Sequence, residues 1–273
     1  MTNYLSAYFI YEQLNIDINI HCNRFLKDIA YPVSEGIKSQ KIIVTEILNN
    51  FDYRYDSFFA SILKHDENSN IVVPDNINFI SWNYDFQIEK AFMNFKNCSL
   101  NEAIEGLNMF ATPQEIFEKP ATSSHLIKLN GTAGFLKDGK FSELFDFSEH
   151  NLDNTSFSIY KDILLSRRNK IQNAIRFSWE GNPLRDKAIN LAQQKITNSK
   201  IVVVIGYSFP YFNREIDRLL FARLPLQSDL KVYIQLPKDS IDSVIARFKG
   251  VAPNLKVEAF TETDQFLIPN ELT

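Results

Sequence analysis

The segment IVVVIG at 201–206 decides the fold, because it is a run of β-branched residues without polar alternation. Such a run is typical of a strand that is covered on both faces, as strands in parallel sheets are. The segments that follow it are a helical pattern at 213–224, LKVYIQL at 230–236, a helical pattern at 239–247 and LKVEAF at 255–260. This alternation predicts a βαβαβ unit with right-handed crossovers.

Residues that favour helix ends mark the predicted helices of this half. Asn182 and Pro183 are expected at the start of a helix that precedes the first strand. Asn213 and Asp239 are expected to cap the two crossover helices. Gly250 is expected to close the second of them.

The first half of the chain contains two further strand candidates, INFISW at 77–82 and HLIKL at 125–129. Helical patterns near 86–95 and 101–109 lie between them. These strands could join the sheet of the second half. Apolar residues also recur at helical spacing over 155–177, which predicts a long helix.

The remaining segments complete the predicted organisation. The first 65 residues are mostly helical in pattern, although alternating isoleucines at 16, 18 and 20 leave a short strand open. Polar stretches at 64–76 and 137–154 indicate exposed loops.

We therefore expect an α/β fold with a Rossmann-like, mostly parallel sheet flanked by helices. It forms a single domain over 1–273, in which 1–70 is mainly a helical elaboration and 71–273 the sheet core.

Composition limits the classes of function. The chain has 273 residues, of which 45% are hydrophobic and 23% charged, as in an ordinary packed protein. Its net charge of -4 and the lack of a basic patch argue against nucleic acid as a ligand. Cys22 and Cys98 are the only cysteines, which favours a reducing compartment and argues against a zinc site. No leader or apolar stretch of about 18 residues is present, so we expect a cytoplasmic protein that does not enter membranes.

Three predicted strands end in unusual loops: SWNYD at 81–85, LNGT at 129–132 and GYSFPYFNREID at 206–217. Ligands of open parallel sheets bind at the carboxyl ends of the strands. We therefore expect the three loops to converge on one site.

The first two loops each have a functional and a structural interpretation. Asn83 can orient a hydroxyl group or a water molecule, or it can simply make a turn in which Asp85 caps the next helix. Gly131 allows a ligand to approach the backbone and Thr132 supplies a hydroxyl, or both belong to a plain turn. For each loop alone, the structural interpretation is favoured.

The third loop leaves the two interpretations evenly matched. Gly206 and Ser208 are typical of a loop that hydrogen-bonds a nucleotide, and Asn213 precedes a helix whose positive end can face an anion. Alternatively, Pro210 and the aromatic residues around it only pack the turn.

Taken together, Asn-Tyr-Asp, the Lys-Leu-x-Gly-Thr loop and Ile-Gly-Tyr-Ser-Phe-Pro resemble the sirtuin-like domains of bacterial antiphage defence proteins. The resemblance covers residues 77 to about 220. It implies a Rossmann-like sheet with a helical insertion, NAD as ligand without a metal, and hydrolysis of the nicotinamide glycosidic bond.

The resemblance also implies roles for particular residues. The family's catalytic Asn aligns with Asn83, and the position of its catalytic His is occupied by Asn130. The family's Gly-x-Ser loop aligns with Gly206 to Ser208, and Asn213 and Asp217 are placed beside the adenosine or ribose. The implied ligand-binding residues are Tyr84, Asp85, Gly131, Thr132, Gly206, Tyr207, Ser208, Asn213 and Asp217.

Two departures from the family pattern weaken the expected activity. An amide at Asn130 cannot act as a base near pH 7, and loss of a positioned base costs about 10² to 10⁴ in rate. His125 is no substitute, since five residues along a strand span roughly 16 Å. The family's Gly-Ala-Gly loop is also missing, because Gly36 is the only glycine in the first 105 residues.

The leading hypothesis is an NAD-binding protein of the NAD+ hydrolase type with weakened activity. The alternative is a catalytically inactive sirtuin-like module for scaffolding, sensing or interaction, which acts as a homo-oligomer or with a protein partner. A third hypothesis places the glycine loop on a segment or partner that the chain lacks.

Overall fold

The computed structural model describes residues 52–110, 123–137, 140–141, 171–175, 183–224 and 229–272. The chain divides into two compact units, each made of three segments. Unit 1 comprises Met1–Tyr53, Asn83–Gly106 and Gly131–Ile175. Unit 2 comprises Arg54–Trp82, Leu107–Asn130 and Arg176–Thr273.

The described residues contain eleven strands and six α-helices. The strands are β1 Lys64–His65, β2 Ile71–Val72, β3 Phe79–Ser81, β4 Met109–Phe110, β5 Leu126–Lys128, β6 Gly131–Lys137, β7 Lys140–Phe141, β8 Ile171–Ile175, β9 Ile201–Ile205, β10 Lys231–Gln235 and β11 Val257–Phe260. The helices are α1 Arg54–Ile62, α2 Gln87–Lys96, α3 Leu100–Gly106, α4 Pro183–Thr197, α5 Arg214–Phe221 and α6 Lys238–Lys249. Short 3₁₀ turns lie at Tyr211–Asn213 and Asn270–Leu272.

The predicted βαβαβ unit is confirmed in unit 2. Strands β9, β10 and β11 are parallel in the order β11-β10-β9, and α5 and α6 are the crossovers. Val232 of β10 lies opposite Val202 on one side and Val257 on the other. The 201–205 strand, expected to be covered on both faces, is parallel as predicted, but all five of its residues are half-buried. Among the described strands β9 lies at the edge of this sheet, whereas four of the five residues of central β10 are buried.

A second parallel sheet of unit 2 has the order β3-β5-β4. The possible extension of the first sheet by strands 77–82 and 125–129 is not observed, since no backbone ladder connects the two sheets among the described residues. β4 occupies one flank of β5 while β3 pairs with the other. Met109, the first residue of β4, is expected from the sequence to be the last residue of the helix at 101–109. α3 ends early at Gly106, and Asn108 has a positive φ of 48° that no helix continues through.

Both parallel sheets bound one hydrophobic core. Ile127 and Leu129 from the β5 strand and turn belong to the same buried cluster as Ile234 of β10 and Phe248 of α6. Ala192 of α4 is fully buried in it. Residues of both sheets therefore share the core of unit 2 with residues of its helices.

Unit 1 has an antiparallel sheet in the order β7-β6-β8, together with α2 and α3. The predicted helix at 155–177 is wrong over Ile171–Ile175, which forms β8 and pairs with β6. Two isoleucines four residues apart fit a helix face as well as a strand end, and the partner strand decides between them. Residues 155–170 lie outside the described residues.

The LNGT segment differs from the predicted loop. Only Leu129 and Asn130 form the turn, because β6 already begins at Gly131, which pairs with Ile175. Gly131 and Thr132 are therefore strand residues of unit 1. Parts of the loops expected at 64–76 and 137–154 also form paired strands, β1 with β2 and β7 with the end of β6.

The predicted helix starts are only partly confirmed. α4 begins at Pro183, as expected, and Gly250 follows the last residue of α6. Asn213 makes no capping hydrogen bond, because its side chain binds Tyr207 instead. Asp239 is not a cap either, since α6 begins one residue earlier, after Pro237.

The helical expectation for the first 65 residues is confirmed at α1, and residues 1–51 lie outside the described residues. Within the described ranges, no helix has both the length and the apolarity that a membrane crossing requires.

Candidate functional site

Asn130 connects the carboxyl ends of β5 and β3. Its Nδ2 donates a hydrogen bond to the backbone carbonyl of Trp82 at 3.0 Å, and its side chain is nearly buried, with 8% exposed. Trp82 directly follows β3, and Asn130 follows β5 after a single residue. The bond therefore holds two strand-end turns of unit 2 together.

The Trp82 ring brings in the third strand end. It stacks on the ring of Tyr207, with centroids 5.7 Å apart and planes inclined by 10°. Tyr207 lies in the turn after β9. The expected convergence of three strand-end loops is thus observed within unit 2, with Trp82 at its centre.

A buried polar cluster lies behind Tyr207. The Tyr207 hydroxyl donates to the Asp217 carboxylate, 2.9 Å from Oδ1 and 3.1 Å from Oδ2. It accepts a hydrogen bond of 3.0 Å from Asn213 Nδ2. Asp217 is 1% exposed and Asn213 4% exposed. This arrangement uses the Asn213 side chain to orient a phenol rather than to begin helix α5.

Burial dominates the electrostatics of this cluster. It raises the pKa of Asp217 to about 7, while the hydrogen bond from Tyr207 acts in the opposite direction. Burial and then the nearby Asp217 charge raise the pKa of Tyr207, so that the phenol remains a neutral donor. Asp217 therefore exchanges its proton near neutral pH.

The turn between β9 and α5 contains two unusual backbone conformations. Gly206 has a φ of +66°, and a Cβ placed on it would meet no atom of the described segments within 4 Å. Phe209 has a positive φ of 48°, and its buried ring contacts Tyr207 at 4.8 Å and Phe248 at 5.1 Å between centroids. The Ser208 carbonyl accepts a hydrogen bond from Arg247 Nη1 at 3.1 Å.

The aromatic residues of this turn divide into two groups. Phe209 packs into the core, as the structural interpretation of the loop expects. Tyr211 and Phe212 are instead 82% and 68% exposed, and the Arg214 guanidinium lies 5.2 Å from the Tyr211 ring centroid.

The remaining predicted site residues belong to unit 1. Asn83 is exposed, and Asp85 Oδ1 accepts a hydrogen bond of 3.3 Å from the backbone N–H of Gln87, the first residue of α2. Tyr84 is half-buried, and burial raises its pKa. Thr132 is fully buried, and its hydroxyl has no hydrogen-bond partner within the described segments.

Asn130 retains an acceptor but offers no base. Its Oδ1 is buried and unpartnered among the described residues, since the hydrogen bond to Trp82 uses the other amide atom. His125 is buried at the opposite, amino end of β5, with Nδ1 2.7 Å from the Ser123 carbonyl oxygen. The structure therefore agrees with the prediction that His125 cannot replace a base at position 130.

Trp82 is not among the site residues that the sequence predicts. The signal was present, since an aromatic residue directly follows the apolar strand and precedes Asn83. Its stacking partner lies 125 positions later in the numbering, at Tyr207, and no local pattern points to it.

No protein-family model, curated protein or solved structure matches this chain. In the part of the chain that the structure describes, no group of three or more His, Cys, Asp or Glu side chains is arranged to hold a metal ion.

Proposed function

We propose that this chain is a sirtuin-like, NAD-binding protein of the NAD+ hydrolase type, which acts in the cytoplasm in bacterial antiphage defence. The proposal rests chiefly on the convergence of three strand-end loops on Trp82 and Tyr207 in unit 2. Ligands of parallel α/β folds bind at this end of the strands. Gly206 leaves open space at the same turn.

The proposed chemistry is slow cleavage of the nicotinamide glycosidic bond. Bond breaking runs ahead of nucleophilic attack in an oxocarbenium-like transition state, so a positioned water suffices for some turnover. Asn83, which is exposed after β3, is the residue proposed to orient that water or a ribose hydroxyl. Asn130 supplies an acceptor oxygen in place of a general base.

The direct test follows nicotinamide release from NAD by the purified protein. We expect slow turnover, its loss in Asn83→Ala, and a gain of about 10²-fold in Asn130→His, which restores a base. NAD binding is measured in parallel by calorimetry. Absence of NAD binding by the folded wild-type protein contradicts the proposal.

A second candidate is an inactive sirtuin-like module for scaffolding or sensing. The observation that favours it is the Asn130 side chain, which carries no ionisable group and is already bonded to the Trp82 carbonyl. Such a module binds neither NAD nor ADP-ribose, and its Asn130→His variant stays inactive. Sedimentation of the full chain then tests for the homo-oligomer that a scaffold implies.

A further inference from the structure

The Asp217 carboxylate has fewer partners than buried charges normally have. A carboxylate accepts about four hydrogen bonds, whereas the Tyr207 hydroxyl is its only donor among the described residues. Burial raises its pKa, and among the described residues no ion pair with a Lys, Arg or His side chain offsets that cost. Buried charges are ordinarily paired with a counter-charge, and the ionised form of this carboxylate has none among the described residues.

Tyr207 links this anion to an aromatic surface. Its hydroxyl donates to Asp217, which shifts electron density toward the phenol ring. That ring lies nearly parallel to the indole of Trp82, and both side chains are half-buried rather than sealed. The faces of Trp and Tyr rings attract cations, and desolvation strengthens the attraction.

Next to this aromatic pair lie an open position, where a ligand could enter, and a hydrogen-bond acceptor, which could orient that ligand. Gly206, adjacent to Tyr207, is exposed and has open space where a side chain would be. Asn130 donates to the Trp82 carbonyl, and its buried Oδ1 has no hydrogen-bond partner among the described residues. An amide N–H of a ligand would satisfy that oxygen.

We propose that Trp82 and Tyr207, backed by the Asp217 carboxylate, form a subsite for a planar organic cation, and that in NAD+ this cation is the nicotinamide pyridinium ring. The identity of the cation rests on the function proposed above. The assignment differs from the family resemblance, which places position 217 beside the adenosine or ribose. A subsite backed by Asp217 is selective for the positive charge of the bound ring, not only for the shape of that ring.

The oxidised and reduced dinucleotides test this selectivity, because NADH has nearly the same shape but an uncharged ring. Calorimetry at pH 8, where Asp217 is mostly ionised, is expected to give NAD+ an affinity about tenfold above that of NADH. In Asp217→Asn the ratio falls toward one. The control Asp242→Asn changes an exposed carboxylate of α6 and leaves the ratio unchanged.

Tyr207→Phe provides an independent variant. It preserves the stacked ring but removes the hydroxyl that contacts Asp217, and it is expected to lower the NAD+ to NADH ratio as well. A purely structural role of Asp217 or Tyr207 would weaken both ligands equally and leave the ratio constant. That result overturns the cation subsite.

Tryptophan fluorescence tests the subsite without a dinucleotide. The chain has two tryptophans, so a Trp179→Phe variant reports on Trp82 alone. The 1-methylnicotinamide cation is expected to quench this emission saturably, whereas uncharged nicotinamide at the same concentrations is not. Equal quenching by both compounds contradicts the inference.

The outcomes separate this inference from the proposed function. NAD+, NADH and ADP-ribose binding with equal affinity overturns the cation subsite and leaves NAD binding intact. Saturable binding of 1-methylnicotinamide without binding of NAD+ supports the subsite and overturns the proposed function. If NAD+, NADH, ADP-ribose and 1-methylnicotinamide all fail to bind, both the cation subsite and the proposed function are overturned.

Discussion

Asp217 illustrates how burial and hydrogen bonding compete at a single residue. Its carboxyl is 1% exposed, and burial raises its pKa despite the hydrogen bond from Tyr207. The desolvation of the charged form therefore outweighs the stabilisation from one phenol donor. Without a ligand, the fold is therefore more stable with a neutral Asp217 side chain than with a charged one.

This competition predicts how stability depends on pH. Because the folded pKa of about 7 lies above the ordinary value of 3.8, the group stabilises the fold fully below 3.8 and loses that contribution as the pH rises through 7. The Asp217→Asn variant does not lose stability in this way, because an amide does not titrate. Urea unfolding should show the variant gaining about 2 to 4 kcal/mol relative to wild type between pH 4 and pH 8.

Asp242→Asn serves as the control for this measurement, since the Asp242 side chain is exposed. Its unfolding free energy should follow the wild-type pH profile. Parallel profiles for wild type and Asp217→Asn would contradict a raised pKa at Asp217.

At the level of elements, the turn between β9 and α5 determines where Tyr207 lies. Gly206 extends the ladder through its N–H, which donates to the Gln235 carbonyl of β10 at 3.2 Å. Its positive φ then turns the chain out of the sheet, and Phe209 returns the chain to the core. The left-handed backbone at Gly206 is therefore required by the strand-to-helix connection, because an extended residue would continue the strand.

Substitutions at Gly206 separate backbone strain from crowding. Since an added Cβ meets no atom within 4 Å, Gly206→Ala should lower the unfolding free energy by about 1 to 2 kcal/mol through strain alone. Gly206→Asn should cost less, because Asn tolerates the left-handed region better. Denaturant unfolding distinguishes the two, and equal losses would point to a steric cause.

At the scale of the whole molecule, unit 2 is closed by contacts between segments far apart in sequence. Arg54 Nη1 donates to the Thr263 carbonyl at 2.7 Å, and the side-chain amide of Gln235 donates to the carbonyls of Glu262 and Gln265. The aromatic core continues from Phe248 to Phe209, which contacts Tyr207 of the site. Packing of the core and placement of the site are thus physically connected.

This connection predicts the effect of truncating the core. Phe248 is fully buried, so Phe248→Ala should lower the unfolding free energy by about 3 to 5 kcal/mol. Phe212→Ala removes a ring that is 68% exposed and should change it by no more than about 0.5 kcal/mol. Calorimetric or urea unfolding measures both, and comparable losses in the two variants would contradict the described core.

Much of the fold follows from local patterns. The β-branched run at 201–205 predicts a parallel strand, and the alternation that continues from it predicts the βαβαβ unit. The carboxyl-end rule then predicts that the loops after β3, β5 and β9 meet. These features can be predicted from the sequence because hydrophobic periodicity and turn residues are local patterns, formed by residues that are neighbours along the chain.

Other features were decided only by the tertiary structure. Ile171–Ile175 is a strand because β6 pairs with it, and Met109–Phe110 is a strand because β5 does. The sequence places Asn130, Tyr207 and Asp217 at strand ends or on a helix, but it does not reveal Trp82 between them. The amino-acid pattern by itself determined where polar groups follow strands. Pairing, stacking and burial join residues that are distant in sequence, so a local pattern does not reveal them. The packed chain alone decided that, within the described segments, one carboxylate would be buried without a counter-charge behind an aromatic pair.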